Sequence, residues 1–390
     1  MKNKAWLIVM VLIVAIATKP GAFTSRDLLD VEGTGLTEIV LPKGSTVVAM
    51  LDDSVIFLIN ETFNRYYFES GEFVTLGKTD VIRGRVNCRW IDDVMAVYPP
   101  INSWAEAGNP LSVIDFEANR IRRFAGHPAS NPWNAFLTPH KGNVLALISG
   151  IKSYISLYDI KTGNSEVVLE ASMDAIGSQY HAIDSYGDKV YTVYTSRPSA
   201  GAGKSTVIRV YDGDFNYLKD IALNEIEHVA EAMAYHIIDF RVFGKYIYWR
   251  SASPGSSIIA EIKDGGYLSV LYQSGDIISG PFYEQLRDGT VAIFGPDEDV
   301  SYDFGGKPLN LAFNSDKITN TQVFFEERSS RVVLFNTDEG ILSEINLPIA
   351  DVGYETVYMA ANGNMVLICA VPIGFGFGNE RYFLYYITFD

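Results

Sequence analysis

The sequence contains two copies of one motif that could do chemistry. The pattern Tyr-His-x-Ile-Asp places His181 and His236 each three residues before a carboxylate, Asp184 and Asp239. Imidazoles that converge beside a carboxylate could hold a divalent metal such as zinc, with His127 as the third candidate ligand. One imidazole could instead act as a general base, which makes His181, His236 and Asp239 the catalytic candidates. The alternative, which we favour, is that the motif packs one repeat unit against the next.

Cationic side chains form a second set of candidates, now for ligand binding. Arg83, Arg85 and Arg241 lie near the same predicted strands as the motif or its counterparts. In an acidic chain, such arginines indicate either an anionic ligand or buried ion pairs, for instance with Asp239. We prefer the ion pairs.

Aromatic side chains in predicted loops are the third set. Tyr98, Trp104 and Trp133 belong to it, and Phe375 and Phe377 lie in a later loop. A flat apolar ring, with a polar edge in Tyr and Trp, could stack on a sugar or a peptide. The same rings could equally cover the ends of the strands.

Two further segments resemble ligand motifs without completing them. Gly201 to Thr206 looks like the end of a phosphate-binding loop, but Pro198 stands where the first glycine is needed and a strand follows where a helix is needed, so we expect no nucleotide. Asp212, Asp214 and Asn216 alternate as in a calcium loop but lack its glycine and distal glutamate.

The candidates are positioned by a repeat. A short apolar strand recurs eight times, at intervals of 33 to 56 residues, starting at Ser54, Val94, Asn143, Lys189, Lys245, Thr290, Arg331 and Asn364. Polar or glycine turns such as Lys141-Gly142 precede it and predict tight hairpins. A four-stranded propeller blade takes about 40 to 45 residues, so the sequence predicts an all-β, single β-propeller.

The repeat also predicts how the ring closes. The chain ends after the third strand of its last repeat, and residues 36–42 (LTEIVLP) match the pattern of a fourth strand. The N-terminal strand 36–42 should therefore complete the last blade, which removes an open seam. The copy at Arg331 is one strand short of the pattern, so the sequence predicts eight blades or, with residues 281–348 as a single blade, seven; we favour eight slightly.

In these repeats the sequence resembles extracytoplasmic β-propellers of the TolB-like, YVTN-type and PQQ-like groups. Residues 244–273 look like a TolB-like repeat, and residues 154–170 look like the repeat of the other two groups. The resemblance implies a propeller fold and carries over no site residues. The tryptophan that closes a PQQ-like repeat is missing, so no quinone signature is present.

The N-terminus and the charge predict where the protein acts. Lys2 and Lys4, an uncharged run from Trp6 to Ala17 and small residues at its end indicate a signal peptide over 1–17, with a lead-in at 18–35 and the propeller at 36–390. Without those two lysines the net charge goes from -16 to -18, which argues against nucleic acid. We expect a periplasmic, secreted or cell-surface protein with no membrane span after cleavage, and an uncleaved anchor is the alternative.

The long loops predict which face of the protein carries the binding function. They all join a second strand to a third or a fourth strand to the next first strand, so they emerge on one side of the predicted propeller. We expect a binding or scaffold protein that recognises a protein, peptide or glycan there. The alternative is a lyase or hydrolase, with or without a divalent metal as its cofactor, acting on a small anionic or sugar-like substrate at the mouth of the channel. The two cysteines, Cys88 and Cys369, should be buried free thiols.

Overall fold

A computed structural model of the chain describes most of its strands and part of its loops. The described residues are 35–78, 87–91, 93–98, 111–124, 134–149, 152–172, 177–196, 203–223, 237–251, 256–274, 283–285, 290–294, 299–303, 309–312, 321–336, 341–375 and 379–387. They form strands, turns and coil, and none of them is helical. The predicted signal peptide lies outside these residues.

The strands are short and follow each other closely. In the first half of the chain they are β1 (Leu36–Ile39), β2 (Thr46–Met50), β3 (Ser54–Ile59), β4 (Thr62–Tyr67), β5 (Phe73–Lys78), β6 (Asn87–Ile91), β7 (Val94–Tyr98), β8 (Ser112–Asp115), β9 (Arg120–Arg123), β10 (Asn134–His140), β11 (Asn143–Ser149), β12 (Lys152–Tyr158), β13 (Ser165–Ser172), β14 (Gln179–Tyr186), β15 (Lys189–Ser196), β16 (Ser205–Asp212) and β17 (Tyr217–Ala222). In the second half they are β18 (Ile237–Phe243), β19 (Tyr246–Ser251), β20 (Ser256–Lys263), β21 (Tyr267–Ser274), β22 (Tyr283–Gln285), β23 (Thr290–Phe294), β24 (Asp299–Asp303), β25 (Asn310–Leu311), β26 (Thr321–Phe325), β27 (Arg331–Asn336), β28 (Ile341–Asn346), β29 (Tyr354–Asn362), β30 (Met365–Pro372) and β31 (Arg381–Tyr386).

Consecutive strands pair into antiparallel sheets in the manner of propeller blades. Four-stranded sheets run β2-β3-β4-β5, β6-β7-β8-β9, β10-β11-β12-β13 and β25-β26-β27-β28, and β22-β23-β24 has three described strands. Two further groups of four, β14 to β17 and β18 to β21, join through one parallel bridge between Ala222 and Tyr267. The all-β, blade-forming prediction is confirmed, whereas the number of blades stays a prediction.

The eight repeated segments are all strands, but one was placed wrongly in its sheet. Seven of them are the second strand of their sheet, as predicted. The segment at Arg331 is β27, the third strand, because β26 precedes it and the two-residue β25 pairs with β26. The missing strand of this repeat is therefore the two-residue β25, which lies before β26 and makes β26 the second strand and β27 the third.

The predicted closure by the N-terminal strand is present. The sheet order is β1-β31-β30-β29, and Leu36 to Ile39 pair antiparallel with Tyr385 to Tyr382. Within β1 only Ile39 is buried, while Thr37 and Glu38 are exposed. Glu38 accepts a hydrogen bond from Arg381 across the pair at 3.0 Å.

The chain divides into two compact units, which are described separately. The first comprises residues 1–58, 65–73 and 307–390, and the second comprises residues 59–64 and 74–306. In the first unit, Val323, Val332, Met359, Val366 and Ile368 are among the buried side chains of the core. In the second, strands β10 to β21 bury a larger core.

Local turn chemistry explains the tight hairpins. Lys141 and Gly142 both have positive φ, 49° and 72°, between β10 and β11. Two central residues with positive φ are the requirement of a type I′ turn, whose twist matches that of the flanking strands. A residue with a Cβ atom is disfavoured at such a φ, so glycine at 142 suits the turn.

Candidate functional site

Most of the residues singled out from the sequence lie outside the described part of the chain. This holds for Arg83, Arg85, Trp104, Phe377, His127, Trp133 and His236. Tyr98 ends β7, and only its backbone is described. The catalytic, metal and ligand roles proposed for them stay predictions. Among the described residues, no three His, Cys, Asp or Glu side chains come together as a metal site would need.

The first copy of the Tyr-His-x-Ile-Asp motif lies in β14 of the second unit and is buried. His181 is 1% exposed, and its Nε2 lies 2.9 Å from Thr195 Oγ1 on β15. Thr195 Oγ1 lies 3.0 Å from Thr206 Oγ1 on β16, so a short hydrogen-bonded row crosses the sheet. The hydroxyl of Tyr180 likewise meets that of Tyr211 at 2.8 Å.

Burial fixes the protonation state of this histidine. Removal from water, with a smaller contribution from the charge of Lys204, lowers the pKa of His181 from 6.5 to about 3. The imidazole is therefore neutral at physiological pH, with one ring nitrogen engaged by Thr195. A neutral ring has the protonation state that a metal ligand or a base requires.

The carboxylate of the same motif joins three first strands. Asp184, 4% exposed, accepts a 2.6 Å hydrogen bond from Thr138 Oγ1 on β10 and a 2.8 Å bond from the backbone N–H of Val242 on β18. One side chain thus ties β14 to the first strand of the sheet before it and of the sheet after it. This geometry agrees with the packing alternative weighed for the motif.

The second copy ends in Asp239 on β18, and its surroundings differ. Arg241 Nε donates to Asp239 Oδ1 at 2.9 Å, and the two side chains are 17% and 21% exposed. The ion pair that we preferred for Arg241 is therefore present. It occupies part of a polar sheet face that also carries Arg250 and Ser257, which are cross-strand partners on β19 and β20.

The first unit contains a cleft of about 650 Å³ at the loop-bearing end of the closing sheet. The chain between β1 and β2, the start of β29, the end of β30 and the loop into β31 all contribute to it. Its lining residues are Leu41, Pro42, Lys43, Gly44, Ser45, Thr46, Tyr354, Val357, Tyr358, Pro372, Phe375, Asn379, Glu380, Arg381 and Tyr382. The cleft therefore lies where a fourth strand connects to the next first strand and where a second strand connects to a third. The sequence predicted the binding face at connections of these two kinds.

Backbone irregularities aim two apolar side chains at the cleft. Val357 lies at a β-bulge, because the pairing of β29 with β30 shifts between Thr356 and Tyr358. Phe375 follows Gly374, whose φ is 81°, and its N–H donates to Pro372 O at 2.9 Å. The turn leaves Phe375 60% exposed. A bulge next to a cleft is a common means of re-aiming a side chain.

Tyrosines form the polar part of the cleft wall. Tyr358 OH donates to Tyr382 OH at 3.3 Å, and Tyr382 OH donates to the backbone oxygen of Ser45 at 3.0 Å. Burial raises the pKa of Tyr358, and it raises that of Tyr382 to about 12, so both phenols are neutral. The row fixes the segment between β1 and β2 against β29 and β31.

A free thiol lies behind these tyrosines. Cys369 is buried, and burial raises its pKa to about 12, so it is present as a thiol. Cys88 is also free and is partly exposed. The prediction that the two cysteines are unpaired is confirmed, but the predicted burial holds for Cys369 and not for Cys88.

Of the cleft residues, sequence reasoning had singled out only Phe375. Tyr354, Tyr358 and Tyr382 were read as ordinary strand residues, and Lys43 was not considered. The available signal was position, since Tyr354 and Tyr382 lie at the starts of β29 and β31, next to the predicted loop-bearing side.

Comparisons with known proteins give distant likenesses only. No family model matches the sequence, and no curated protein matches it significantly. Several solved structures resemble the chain at low identity. Apo AztD from Citrobacter koseri has 10% identity and a TM-score of 0.47, and the match covers 85% of this chain and 94% of AztD. Sqt1 from Saccharomyces cerevisiae has 10% identity, a TM-score of 0.47 and coverages of 89% and 100%, and the WD40 repeats of RRP9 have 10% identity, a TM-score of 0.41 and coverages of 94% and 99%. The chain has the β-propeller fold by the order of its four-stranded sheets, and these comparisons assign it to no family.

Proposed function

We propose that the chain is an extracytoplasmic binding protein that recognises a protein, peptide or glycan through the cleft at the loop-bearing end of its closing sheet. The observation that carries this is the cleft itself, with an exposed ring, Phe375, above hydrogen-bonded tyrosines. Its volume falls within the range of about 300–1,000 Å³ found for small-ligand sites.

The chemistry of the lining supports recognition of a partly apolar, partly polar ligand. Phe375 offers a flat apolar surface, and Lys43, Asn379 and Arg381 supply donors at the rim. Val40 and Ile373, 71% and 55% exposed, are chain neighbours of the lining residues Leu41 and Pro372. Exposed apolar side chains that cluster around a cleft are typical of interaction sites.

The test is binding of the purified chain to two microarrays, one of random 12-residue peptides and one of defined glycans. We expect a reproducible set of positives on one array, and Phe375→Ala should weaken binding to them at least tenfold. Val352→Ala is the matched control, because Val352 is 51% exposed in the same unit and does not line the cleft.

Two outcomes would contradict the proposal. One is the absence of binding on both arrays, and the other is binding that Phe375→Ala leaves unchanged. The type of array that responds identifies the ligand class.

A further inference from the structure

The two faces of sheet β18 to β21 in the second unit have opposite character. One face is apolar and belongs to the core, with Phe240, Trp249 and Ile258 as successive cross-strand partners. On the other face, Asp239, Arg250 and Ser257 follow each other across β18, β19 and β20. A sheet face that carries a carboxylate, a guanidinium and a hydroxyl needs a partner for each of them.

The charges on this polar face do not balance. Arg241 and Asp239 form an ion pair. Arg250, in contrast, makes no hydrogen bond or ion pair with any residue that the structure describes, and its Nε is buried without a partner. Asp239 is engaged by Arg241, and Glu261, the other described carboxylate on this face, is engaged by Lys245 and Lys263, so the positive charge of Arg250 is left over. The chain has a net charge of -16, so acidic side chains are abundant, yet none of those described pairs with Arg250.

A second donor lies directly opposite. Ser257 is 0% exposed, and its Oγ also has no hydrogen-bond partner. Residues directly opposite each other on antiparallel strands have Cβ atoms about 4.5–5.5 Å apart, so one small group can reach both side chains. Burying polar groups without partners costs free energy, which a ligand that satisfies both would recover.

The position of the pair gives access from outside. Arg250 is the last residue but one of β19, and Ser257 is the second residue of β20. Both lie at the end of the sheet from which the connection between the second and third strands leaves. Arg250 is partly exposed, so a ligand can approach its guanidinium from that end.

We propose that Arg250 and Ser257 form a binding site for an oxyanion group, the carboxylate or phosphate-like group of a small ligand. A guanidinium presents two parallel N–H donors that match two oxygens of such a group, and the hydroxyl donates to one of them. The Asp239–Arg241 pair borders the site. The Asp239 carboxylate limits the size and the negative charge of the anion that can bind, because a bulkier or more highly charged anion meets it. This site lies in the second unit and is independent of the cleft in the first.

The experiment measures thermal unfolding and arginine Nε–H NMR signals of the full chain in sodium phosphate, sodium sulfate, sodium acetate and sodium chloride at equal ionic strength. We expect at least one oxyanion to raise the unfolding temperature above its value in chloride and to shift the Arg250 Nε–H signal. Comparison of the three salts separates phosphate-like groups from carboxylates.

Variants locate the effect. Arg250→Gln should abolish the oxyanion-specific shift, and Ser257→Ala should weaken the apparent affinity about three- to tenfold. Arg120→Gln, which removes an exposed positive charge elsewhere in the same unit, should leave the shift intact. Arg250→Lys keeps the charge but loses the planar pair of donors, so it should bind at least tenfold more weakly than the parent.

The proposal fails if the three oxyanions act as chloride does in the parent protein, or if Arg250→Gln retains the full shift. Should Arg250→Gln not fold, the NMR signal of Arg250 in the parent protein decides the question, because a site that binds elsewhere leaves it unmoved. A negative result for the oxyanion site does not affect the array test of the cleft. A negative array result likewise does not affect the test of the oxyanion site.

Discussion

The two copies of the Tyr-His-x-Ile-Asp motif are almost identical in sequence and are used differently. Asp184 is two residues before Tyr186, which flanks the hairpin turn, whereas Asp239 is four residues before Phe243, which flanks the next one. The bulge lies at His181 in β14 but at Ile238 in β18. The second copy is thus displaced by two residues along its strand, and Arg241 takes the place that Asp184 has in the first.

This displacement decides the role of each carboxylate. Asp184 reaches the neighbouring strands β10 and β18 and is buried. Asp239 lies nearer the loop-bearing end and pairs with an arginine in a partly exposed setting. A repeated motif therefore predicts a repeated strand but does not predict a repeated site, because the second copy lies two residues farther from its hairpin turn than the first.

The largest expected effect follows from removing the first carboxylate. Asp184→Ala leaves the Thr138 hydroxyl and the Val242 N–H buried without an acceptor, so the free energy of unfolding should fall by about 3 kcal/mol or more. Urea-induced unfolding measures it. Asp184→Asn, which keeps one acceptor oxygen, should lose less. A loss below about 1 kcal/mol for Asp184→Ala would mean that these bonds do not hold the three strands together.

The second effect depends on pH and concerns His181. Its pKa is about 3 in the folded chain and near 6.5 when unfolded, so the unfolded chain binds the extra proton between these values. Stability should therefore fall as the pH drops from about 6.5 toward 3. His181→Gln should make this fall shallower, measured by unfolding at successive pH values with the difference at pH 8 as the reference. Equal slopes for the two proteins would contradict the burial of a neutral ring.

The smallest effect is expected in the second copy. Asp239→Asn removes the charge from a pair whose side chains are about one-fifth exposed, so the free energy of unfolding should change by less than about 1 kcal/mol. The same urea titration that tests Asp184 measures it. A loss as large as that of Asp184→Ala would erase the distinction between the two copies.

The repeat made the strands predictable, and the closing strand with them. Apolar runs bounded by turn residues specify inner hairpins locally, and β1 could be assigned to the last sheet because its residues match the pattern of a fourth strand. The assignment failed at β27, where a third strand has the same apolar composition as the second strands. A strand of two residues such as β25 is too short to show an apolar pattern that would predict it.

The sites were less predictable than the strands. The bulges at His181 and Ile238 depend on how whole strands pair, so no local pattern marks them. The cleft depends on a loop, a turn and a bulge that meet at one sheet end, from residues as distant as Lys43 and Tyr382. Arg250 was overlooked because its isolation is a property of its neighbours rather than of its sequence.

The two strands of the β1–β31 pair are synthesised at very different times. Glu38 and Arg381, which meet across this pair, are 343 residues apart. At about 5–20 residues per second, a ribosome needs roughly 20 to 70 seconds to make the second strand after the first. During that interval β1 has no partner, and Ile39 is the one residue of β1 whose side chain must wait for burial, since Thr37 and Glu38 stay exposed in the folded chain.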